Sequence, residues 1–488
     1  MAGKPKPHHM AASKSKPKKK SPNWKIVAGK MKKKCASWKR KALERRNEIK
    51  ALKSSLAREK LGRNKLRGSC PGQSGGDAPT RVRHQRFGLD AMLLAVAMHI
   101  TNNVGLRATA KSLCLAMGLW GPGARSVSAT TVRNWSLRVG LYFLTRRPPA
   151  GRYVLIADES VSMGREQLLA LVAVRLEEDG RRIAPLKMSD AVVLHLGSRK
   201  SWKGEAMAKI IMEEAEGRGI ELVQAISDKG SNLRNAFALC GLPWVGDCTH
   251  MVAGAVQRLY EKNDGLNGFV QLMNATRAKW SSCELAVYAP PGMRKKARFH
   301  QILAIHKWAV KILANWDGLP EGAKLELAYV AGNAGLMDTL RQLYELVAHF
   351  SALVKGKGVT DATEAECVRF YGDKYSGAEG PDPKVSALHL AMLEYVRKVR
   401  ATMPHLDQVL CCSDIVESIF GKYKNKGGCP FITDDALEVA AYPFDIQKED
   451  IRKAMETVSM KDILDWKKAN TTESLIVLRK KLLPKTAA

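Results

Sequence analysis

Five short apolar runs between residues 153 and 246 constrain the fold of this chain more than any other feature. They occupy residues 153–157, 168–174, 191–196, 220–227 and 244–246. Each run is brief and is flanked by polar or glycine-containing segments, as buried strands are. A helical pattern at about 202–217 separates the third run from the fourth, and a short helix from Ser231 separates the fourth from the fifth. This order predicts an α/β domain.

The stretch after the last strand has a different pattern. Residues 251–403 are nearly all helical in their periodicity, with helices expected near 294–315, 335–355 and 384–403 and a final helix at 414–424. Three strands before the first helix is the ribonuclease H order, in which the first and fourth strands are neighbours. We therefore expect a ribonuclease-H-like mixed sheet that is interrupted by an all-helical insertion.

The amino-terminal region is strongly basic. The chain carries a formal net charge of +33, and residues 1–70 contain 24 Lys or Arg and three Glu. A polyanion is the usual partner of such an arm, with nucleic acid more common than an anionic membrane surface. A solvated tail without a partner is the alternative. Apolar residues at three- and four-residue spacings predict an amphipathic helix at 36–61, and a Gly- and Pro-rich linker follows.

Three short helices between residues 87 and 147 resemble a helix-turn-helix domain. Ser128 is expected to cap the third helix, whose first turns contain the four candidate readers of base edges, Thr130, Thr131, Arg133 and Asn134. An ordinary three-helix core bundle is the alternative, and the pattern does not decide between them.

Together these patterns predict six segments. They are a basic disordered arm with an amphipathic helix at 1–68, a linker at 69–86, a helix-turn-helix domain at 87–147, the first part of the ribonuclease-H-like core at 150–250, the helical insertion at 251–403, and the second part of the core with a carboxyl-terminal region at 404–488.

The ten cysteines are scattered without a CxxC pair, and the longest apolar stretch near the amino end covers only residues 91–100. These features predict neither a disulfide scaffold, nor a zinc site, nor a membrane span. We expect a soluble intracellular protein without a membrane partner, in the cytoplasm or nucleoid of a bacterium or in the nucleus of a eukaryote.

Two aspartates stand at matching positions of the predicted sheet. Asp158 follows the first strand and Asp228 follows the fourth, so neighbouring strands would bring both carboxylates to one edge. The final predicted helix offers Glu417, with Asp414 on the same face as the alternative third ligand. Cutting or joining a phosphodiester requires an activated nucleophile and a stabilised leaving oxygen, which two Mg²⁺ ions about 4 Å apart can supply. These carboxylates are candidate ligands.

At these residues the chain resembles the DDE transposases of the hobo/Activator/Tam3 type, in which a long helical domain separates the second Asp from the Glu. Asp228 and Glu417 are 189 positions apart, and SDKGSN is similar to the segment around the second Asp of the family. The pair Lys279-Trp280, followed by two serines, is similar to an Arg-Trp pair near the start of the family's insertion. Lys424 follows Glu417 with six residues between them, a spacing seen in several bacterial insertion-sequence transposases.

The likeness has departures. In the GDCTH segment, Cys248 and His250 are separated by one residue where the family has two, and Asp247 stands in the place of the family's Cys. Leu410 and Ser413 occupy the positions where insertion-sequence transposases usually carry Tyr and Arg.

The resemblance implies roles for individual residues. Asp158 and Asp228 would hold two Mg²⁺ ions, for which Mn²⁺ can substitute, Glu417 would complete one site, and Lys424 would contact a DNA phosphate. Lys279 and Trp280 would contact DNA, with the indole stacked on a base turned out of the helix, unless Trp280 is a core residue. His250 would support the site or be structural.

The implied function is that of a transposase. It would cleave transposon ends, transfer the strands to target DNA, bind double-stranded DNA and act as a homo-oligomer. A nuclease of the same fold that does not join DNA, and an inactive domesticated copy that regulates by binding DNA, are the alternatives.

Overall fold

The structure is a computed structural model that describes residues 82, 85–120, 126–161, 166–179, 181, 185–292, 302–377, 380–425, 432–472, 479 and 482. The basic arm at 1–68 and nearly all of the linker at 69–86 lie outside these residues, and so does the helix expected at 36–61. Everything described below belongs to one compact unit, residues 79–488.

A five-stranded mixed sheet forms the centre of this unit. Its strands are β1 (Arg152–Val161), β2 (Gln167–Arg175), β3 (Ala191–Arg199), β4 (Glu221–Ser227) and β5 (Trp244–Gly246). Their order across the sheet is β3-β2-β1-β4-β5. The β1–β2 and β2–β3 pairs are antiparallel, and the β1–β4 and β4–β5 pairs are parallel. The five strands and the neighbouring positions of the first and fourth are thus confirmed.

The α-helices account for most of the remaining described residues. Five helices precede β5 in the chain: α1 (Leu89–Val96), α2 (Leu106–Trp120), α3 (Ala129–Thr145), α4 (Gly204–Arg218) and α5 (Ser231–Leu239). Those after β5 are α6 (Cys248–Tyr260), α7 (Asp264–Trp280), α8 (Ile302–Ala314), α9 (Glu321–Glu326), α10 (Ala328–Ala331), α11 (Ala334–Lys357), α12 (Thr363–Tyr375) and α13 (Pro383–Thr402). The last three are α14 (Asp414–Lys424), α15 (Lys448–Thr457) and α16 (Met460–Asn470).

The sheet is covered on both faces, because successive side chains of a strand point to opposite sides. On β1, Val154 and Ile156 belong to a core shared with α1–α3, α14, α15 and a 3₁₀ segment at Asp434–Ala441. Tyr153 and Leu155 belong to the opposite core, which α4 and α5 complete. A third core lies within α6–α13 and holds these helices together.

The third helix of the predicted helix-turn-helix, α3, is a core helix. Ser128 caps it as expected, accepting a hydrogen bond from the Thr131 amide. Its buried residues lie on more than one side, and it packs against the Asp434–Ala441 segment so closely that a Cβ at Gly140 would overlap the Leu437 carbonyl. Only glycine permits this approach. The body of α3, from Trp135 to Leu144, is buried or half-buried throughout.

The candidate base-reading residues are placed accordingly. Arg133 forms an ion pair with the buried Asp434 and a second with Asp435 at 3.5 Å. The Thr131 hydroxyl lies 2.9 Å from that of Ser128 at the cap. Thr130 is exposed and Asn134 is half-buried. The helix that carries these four residues shares its core with the sheet, and their role in reading bases stays a prediction.

No helix in the described ranges has both the length and the apolar character that crossing a membrane requires.

Candidate active site

Asp158 and Asp228 lie at the edge of the sheet where β4 ends. The last paired residues of β1 and β4 are Ile156 and Ile226, and Asp228 comes directly after β4. Because the strands are parallel neighbours, the two carboxylates leave the sheet at the same edge. Asp158 differs from the prediction in one respect. It lies inside β1 rather than after it, since β1 continues to Val161 in its pairing with β2.

Glu417 is brought to this edge by α14, the helix that follows the long helical segment. The start of α14 is held by Asp247, whose Oδ2 accepts hydrogen bonds from the Ser413 amide at 2.7 Å and the Ser413 hydroxyl at 3.0 Å. Asp247 also caps α6, accepting a bond from the His250 amide at 2.8 Å. One buried carboxylate thus fixes the helix of His250 and the helix of Glu417 relative to each other.

The positioning role of Asp247 is missed by sequence analysis, which notes only that this residue stands in the place of the family's Cys. The local signal for a helix cap is present, because an Asp precedes the apolar pattern of 248–260. The bonds to Ser413 have no local signal, since they join residues 166 positions apart.

The three carboxylates line one open cavity of about 410 Å³. Its other polar or charged lining residues are Glu159, His250, Ser413 and Lys424. Four carboxylates against one lysine and one histidine make the cavity acidic, a setting suited to cations.

The electrostatics of Asp158 reflect this crowding. Burial raises its pKa to about 6, and the negative charges of Asp228 and Glu417 add to the rise, while His250 and Lys424 oppose it. Burial, Asp228 and Asp158 raise the pKa of Glu159 as well. Among the residues that the structure describes, neither Asp158 nor Asp228 has a cationic partner within 4 Å. The cavity therefore holds more carboxylates than cationic groups.

His250 contacts the third carboxylate. Its Nε2 lies 3.3 Å from Oε1 of Glu417, and this hydrogen bond raises the pKa of His250 above its usual value against the effect of burial. The ring is therefore a partner of the candidate ligand Glu417 in this structure.

The alternative third ligand, Asp414, faces a different cavity. Its Oδ2 lies 2.5 Å from Nζ of Lys355, and the two residues line a small pocket with Cys412. The structure brings Glu417, rather than Asp414, together with Asp158 and Asp228.

The compact metal-ligand geometry found among the described residues belongs to another group. Ligand atoms of Asp247, Cys412 and Asp414 all lie within 4.8 Å of one another. The Asp247 oxygens already accept three hydrogen bonds, and Lys355 neutralises Asp414. This group is therefore occupied by its own hydrogen-bonding partners.

The oxygens of Asp158, Asp228 and Glu417 are not all within 4.8 Å of one another. The three carboxylates are therefore too far apart to bind one ion together. Their spread is compatible with two ions about 4 Å apart, whose ligands lie on both sides of the pair. The excess of carboxylates in the cavity fits divalent cations, and Asp158, Asp228 and Glu417 are the residues that would hold them.

Lys424 lies at the rim of the same cavity. It is exposed, its Nζ lies 5.9 Å from the centroid of the Phe420 ring, and its charge reaches Asp158. The helix α14 therefore presents a carboxylate in its first turn and a cation in its last turn to one space.

Trp280 and Lys279 are not part of this site. The Trp280 side chain is 1% exposed within the core of the helical segment, and its indole N–H donates to Glu326 at 2.9 Å. Lys279 forms an ion pair with the same Glu326 at 2.6 Å. The prediction that Trp280 stacks on an extruded base is therefore wrong, because neither face of its ring is open. The alternative interpretation, a core tryptophan, describes it.

The chain matches no protein-family model, and no curated protein matches it either.

Proposed function

We propose that this chain is a DNA transposase with a ribonuclease-H-like catalytic domain, which cleaves transposon ends and joins them to target DNA. The observation that carries the proposal is the meeting of Asp158, Asp228 and Glu417 at one acidic cavity. They come from β1, from the end of the neighbouring parallel strand β4, and from the helix that follows a long helical segment. The strand order β3-β2-β1-β4-β5 supports the proposed fold.

In this proposal Asp158, Asp228 and Glu417 hold two Mg²⁺ ions. When bound, such ions activate the attacking water or hydroxyl and stabilise the leaving oxygen of a phosphodiester. The raised pKa of Asp158 is consistent with a ligand whose negative charge awaits neutralisation by a cation.

Other residues of the chain position and balance these ligands. Asp247 keeps α6 and α14 in register, so that Glu417 stays at the edge of the sheet. His250 orients the Glu417 carboxylate through their hydrogen bond. Lys424 places a positive charge at the rim, where a DNA phosphate would approach the carboxylates. The net charge of +33 favours DNA as the partner.

The proposal is tested with the purified full-length chain and a labelled duplex that carries the DNA flanking its reading frame. Mg²⁺ or Mn²⁺ should support cleavage, and EDTA should prevent it. Asp158→Asn, Asp228→Asn and Glu417→Gln should each reduce cleavage to background while binding the duplex, because each removes a metal ligand but no basic residue.

Two matched variants provide the control. Asp465 is exposed on α16, away from the cavity, and Asp414 lies one helical turn from Glu417 but faces Lys355. Asp465→Asn and Asp414→Asn should therefore cleave as the unchanged protein does. Cleavage that survives Glu417→Gln but not Asp414→Asn would show that the third ligand is assigned to the wrong residue.

A second substrate distinguishes the proposed transposase from the alternatives. A labelled end with a free 3′ hydroxyl should be joined to plasmid DNA in the presence of Mg²⁺. Cleavage without joining would indicate a nuclease, and binding without cleavage would indicate a DNA-binding regulator.

A further inference from the structure

A second cavity lies on the other side of the loop that carries Asp228. Its volume is about 190 Å³, and it is bounded by the loop after β4, by β5, and by helices α6 and α13. Asp228 lines the acidic cavity, whereas the next residue, Lys229, lines this one. The two cavities therefore flank a single short loop.

Three cations line this second cavity. Lys229 comes from the loop, Arg258 from α6 and Lys398 from α13, and Glu394 is the one carboxylate among the described lining residues. Within the ranges that the structure describes, none of these three cations has a carboxylate within 4 Å. Surface lysines and arginines that lie close together repel each other unless an anion neutralises them.

The cations lie close to one another. From the point where a Cβ of Gly254 would be, Nζ of Lys229 lies 3.8 Å away and Nη1 of Arg258 lies 3.9 Å away. A single phosphate group placed over Gly254 could contact both.

The walls of the cavity strengthen such a contact. Val245, Met251 and Val399 are buried and form apolar parts of its lining. Charge–phosphate interactions are stronger beside a low-dielectric wall than in open water. The residue Arg234 lies beyond the cavity, 4.8 Å from the ring of Trp244, and extends the positive surface.

One face of α6 connects the two cavities. His250, at the acidic cavity, is followed at four-residue intervals by Gly254 and by Arg258, at the basic cavity. Residues four apart lie on adjacent turns of the same face, so His250 and Arg258 are about 12 Å apart along the helix axis. A DNA strand that runs along this face would meet both cavities.

We infer that Lys229, Arg258 and Lys398 form a binding site for backbone phosphates of the DNA strand whose scissile phosphate lies at Asp158, Asp228 and Glu417. This inference rests on the proposed function. Gly254 leaves room for the phosphate between the cations, and the apolar lining excludes water from one side of it. The site contacts the backbone, so it favours no base sequence.

Binding is measured with a fluorescein-labelled duplex of mixed sequence in EDTA, at several salt concentrations, with the full-length chain. Lys229→Gln, Arg258→Gln and Lys398→Gln should each weaken binding about fivefold at 0.15 M salt and reduce the slope of log K against log salt by about 1, as expected for one lost phosphate contact. Lys311→Gln and Arg107→Gln, which remove exposed cations elsewhere, should bind as the unchanged protein does.

A pair of variants at Gly254 isolates charge from shape. Gly254→Glu and Gly254→Gln add side chains of the same size, and both remove a glycine from a helix, so neither should weaken folding. The carboxylate of Gly254→Glu would pair with Lys229 and Arg258 within the protein. The duplex affinity of Gly254→Glu should therefore be at least fivefold lower than that of Gly254→Gln. Equal affinities would overturn the inference.

Lysine acetylation locates the contact directly in the unchanged protein. Bound duplex should slow the acetylation of Lys229 and Lys398 but not that of Lys311, as read by mass spectrometry. Unprotected Lys229 and Lys398 in a saturated complex would refute the site, even if the basic arm binds DNA. Protection by tripolyphosphate but not by the duplex would also overturn the inference, in favour of a small anion.

The outcomes separate this site from the proposed function. Protection and the Gly254 charge effect without any metal-dependent cleavage would leave the phosphate site standing and refute the transposase. Metal-dependent cleavage without protection of Lys229 and Lys398 would support the transposase and refute the phosphate site.

Discussion

Without divalent ions, replacing Asp158 with Asn should make the folded protein more stable. Asp158 is buried at an edge where Asp228 and Glu417 are also negative, and this environment raises its pKa to about 6. The folded state therefore binds the proton of Asp158 more tightly than the unfolded chain does. Once the pH exceeds that pKa, folding must bury a charge that the unfolded chain keeps in water. Asn keeps the shape and removes the charge.

The magnitude follows from the shift. A rise from 3.8 to about 6 corresponds to roughly 3 kcal/mol of lost stability at pH 7.5. This destabilisation is complete above the folded-state pKa and disappears as the pH falls towards 3.8, the value that applies to the unfolded chain. At pH 5 about half of it should remain. For a unit of roughly 400 residues, 3 kcal/mol corresponds to a melting-temperature difference of about 3–4 °C.

With Mg²⁺ present, the unchanged protein should be more stable than Asp158→Asn. A cation at the carboxylates removes the repulsion in the unchanged protein and stabilises the folded state by mass action, whereas Asp158→Asn lacks a ligand. The unchanged protein should therefore gain stability from Mg²⁺ or Mn²⁺, and the variant should gain much less.

The assay is thermal melting by circular dichroism at pH 7.5 and pH 5, in EDTA and in Mn²⁺, with the exposed Asp465→Asn as the control. Asp465→Asn should melt as the unchanged protein does under all four conditions. If Asp158→Asn melts at the same or a lower temperature than the unchanged protein in EDTA at pH 7.5, the account of a charge-crowded cavity is refuted.

Four further predictions concern other parts of the chain. Trp280→Ala should lose about 3–5 kcal/mol of unfolding free energy, as a buried core residue does, and cleavage should fall only in step with the folded fraction; a larger fall would restore a catalytic role. Arg133→Ala should destabilise the protein by about 1–3 kcal/mol in urea unfolding, because it removes one of the two cations, Arg133 and Lys467, that pair with the buried Asp434, yet its preference for cognate over random DNA should be unchanged. The nuclear magnetic resonance titration of His250 should show a pKa above the usual value that falls in Glu417→Gln; the stability from this contact should be present at low pH and disappear as the pH rises through the pKa of the folded state. Deleting residues 1–34 should weaken binding to all DNA alike and flatten its salt dependence; a sequence-selective loss would contradict this.

The sheet could be predicted from the sequence because its signals are local. Short apolar runs give β1 and β4 within a few residues, and the order of strands and helices gives their neighbouring positions. Asp158 and Asp228 follow from that order alone. Glu417 depends on helix periodicity, which cannot separate it from Asp414 on the same face; the choice is made by Lys355, which pairs with Asp414.

The helix faces could not be predicted, because the residues that cover them are far away in sequence. Thr, Arg and Asn at the start of α3 are equally typical of a recognition helix and of a core helix whose Arg133 pairs with Asp434, 301 positions later. Trp280 likewise finds its partner, Glu326, 46 positions away. The local sequence of each motif is the same whether its side chains are exposed to solvent or covered by distant residues.

Two contacts near the site join residues that are far apart in the sequence, and this separation has a consequence during synthesis. The contacts are Asp247 with Ser413 and His250 with Glu417. These contacts join residues 166 and 167 positions apart. A ribosome adds about 5–20 residues per second, so roughly 10–30 seconds pass before the second partner of each contact exists. A fragment that ends before α14, through premature termination or proteolysis of the helical segment, keeps the basic arm and two of the carboxylates. On the proposed function it would bind DNA of any sequence through the basic arm without cutting it, and so compete with the full-length chain for DNA.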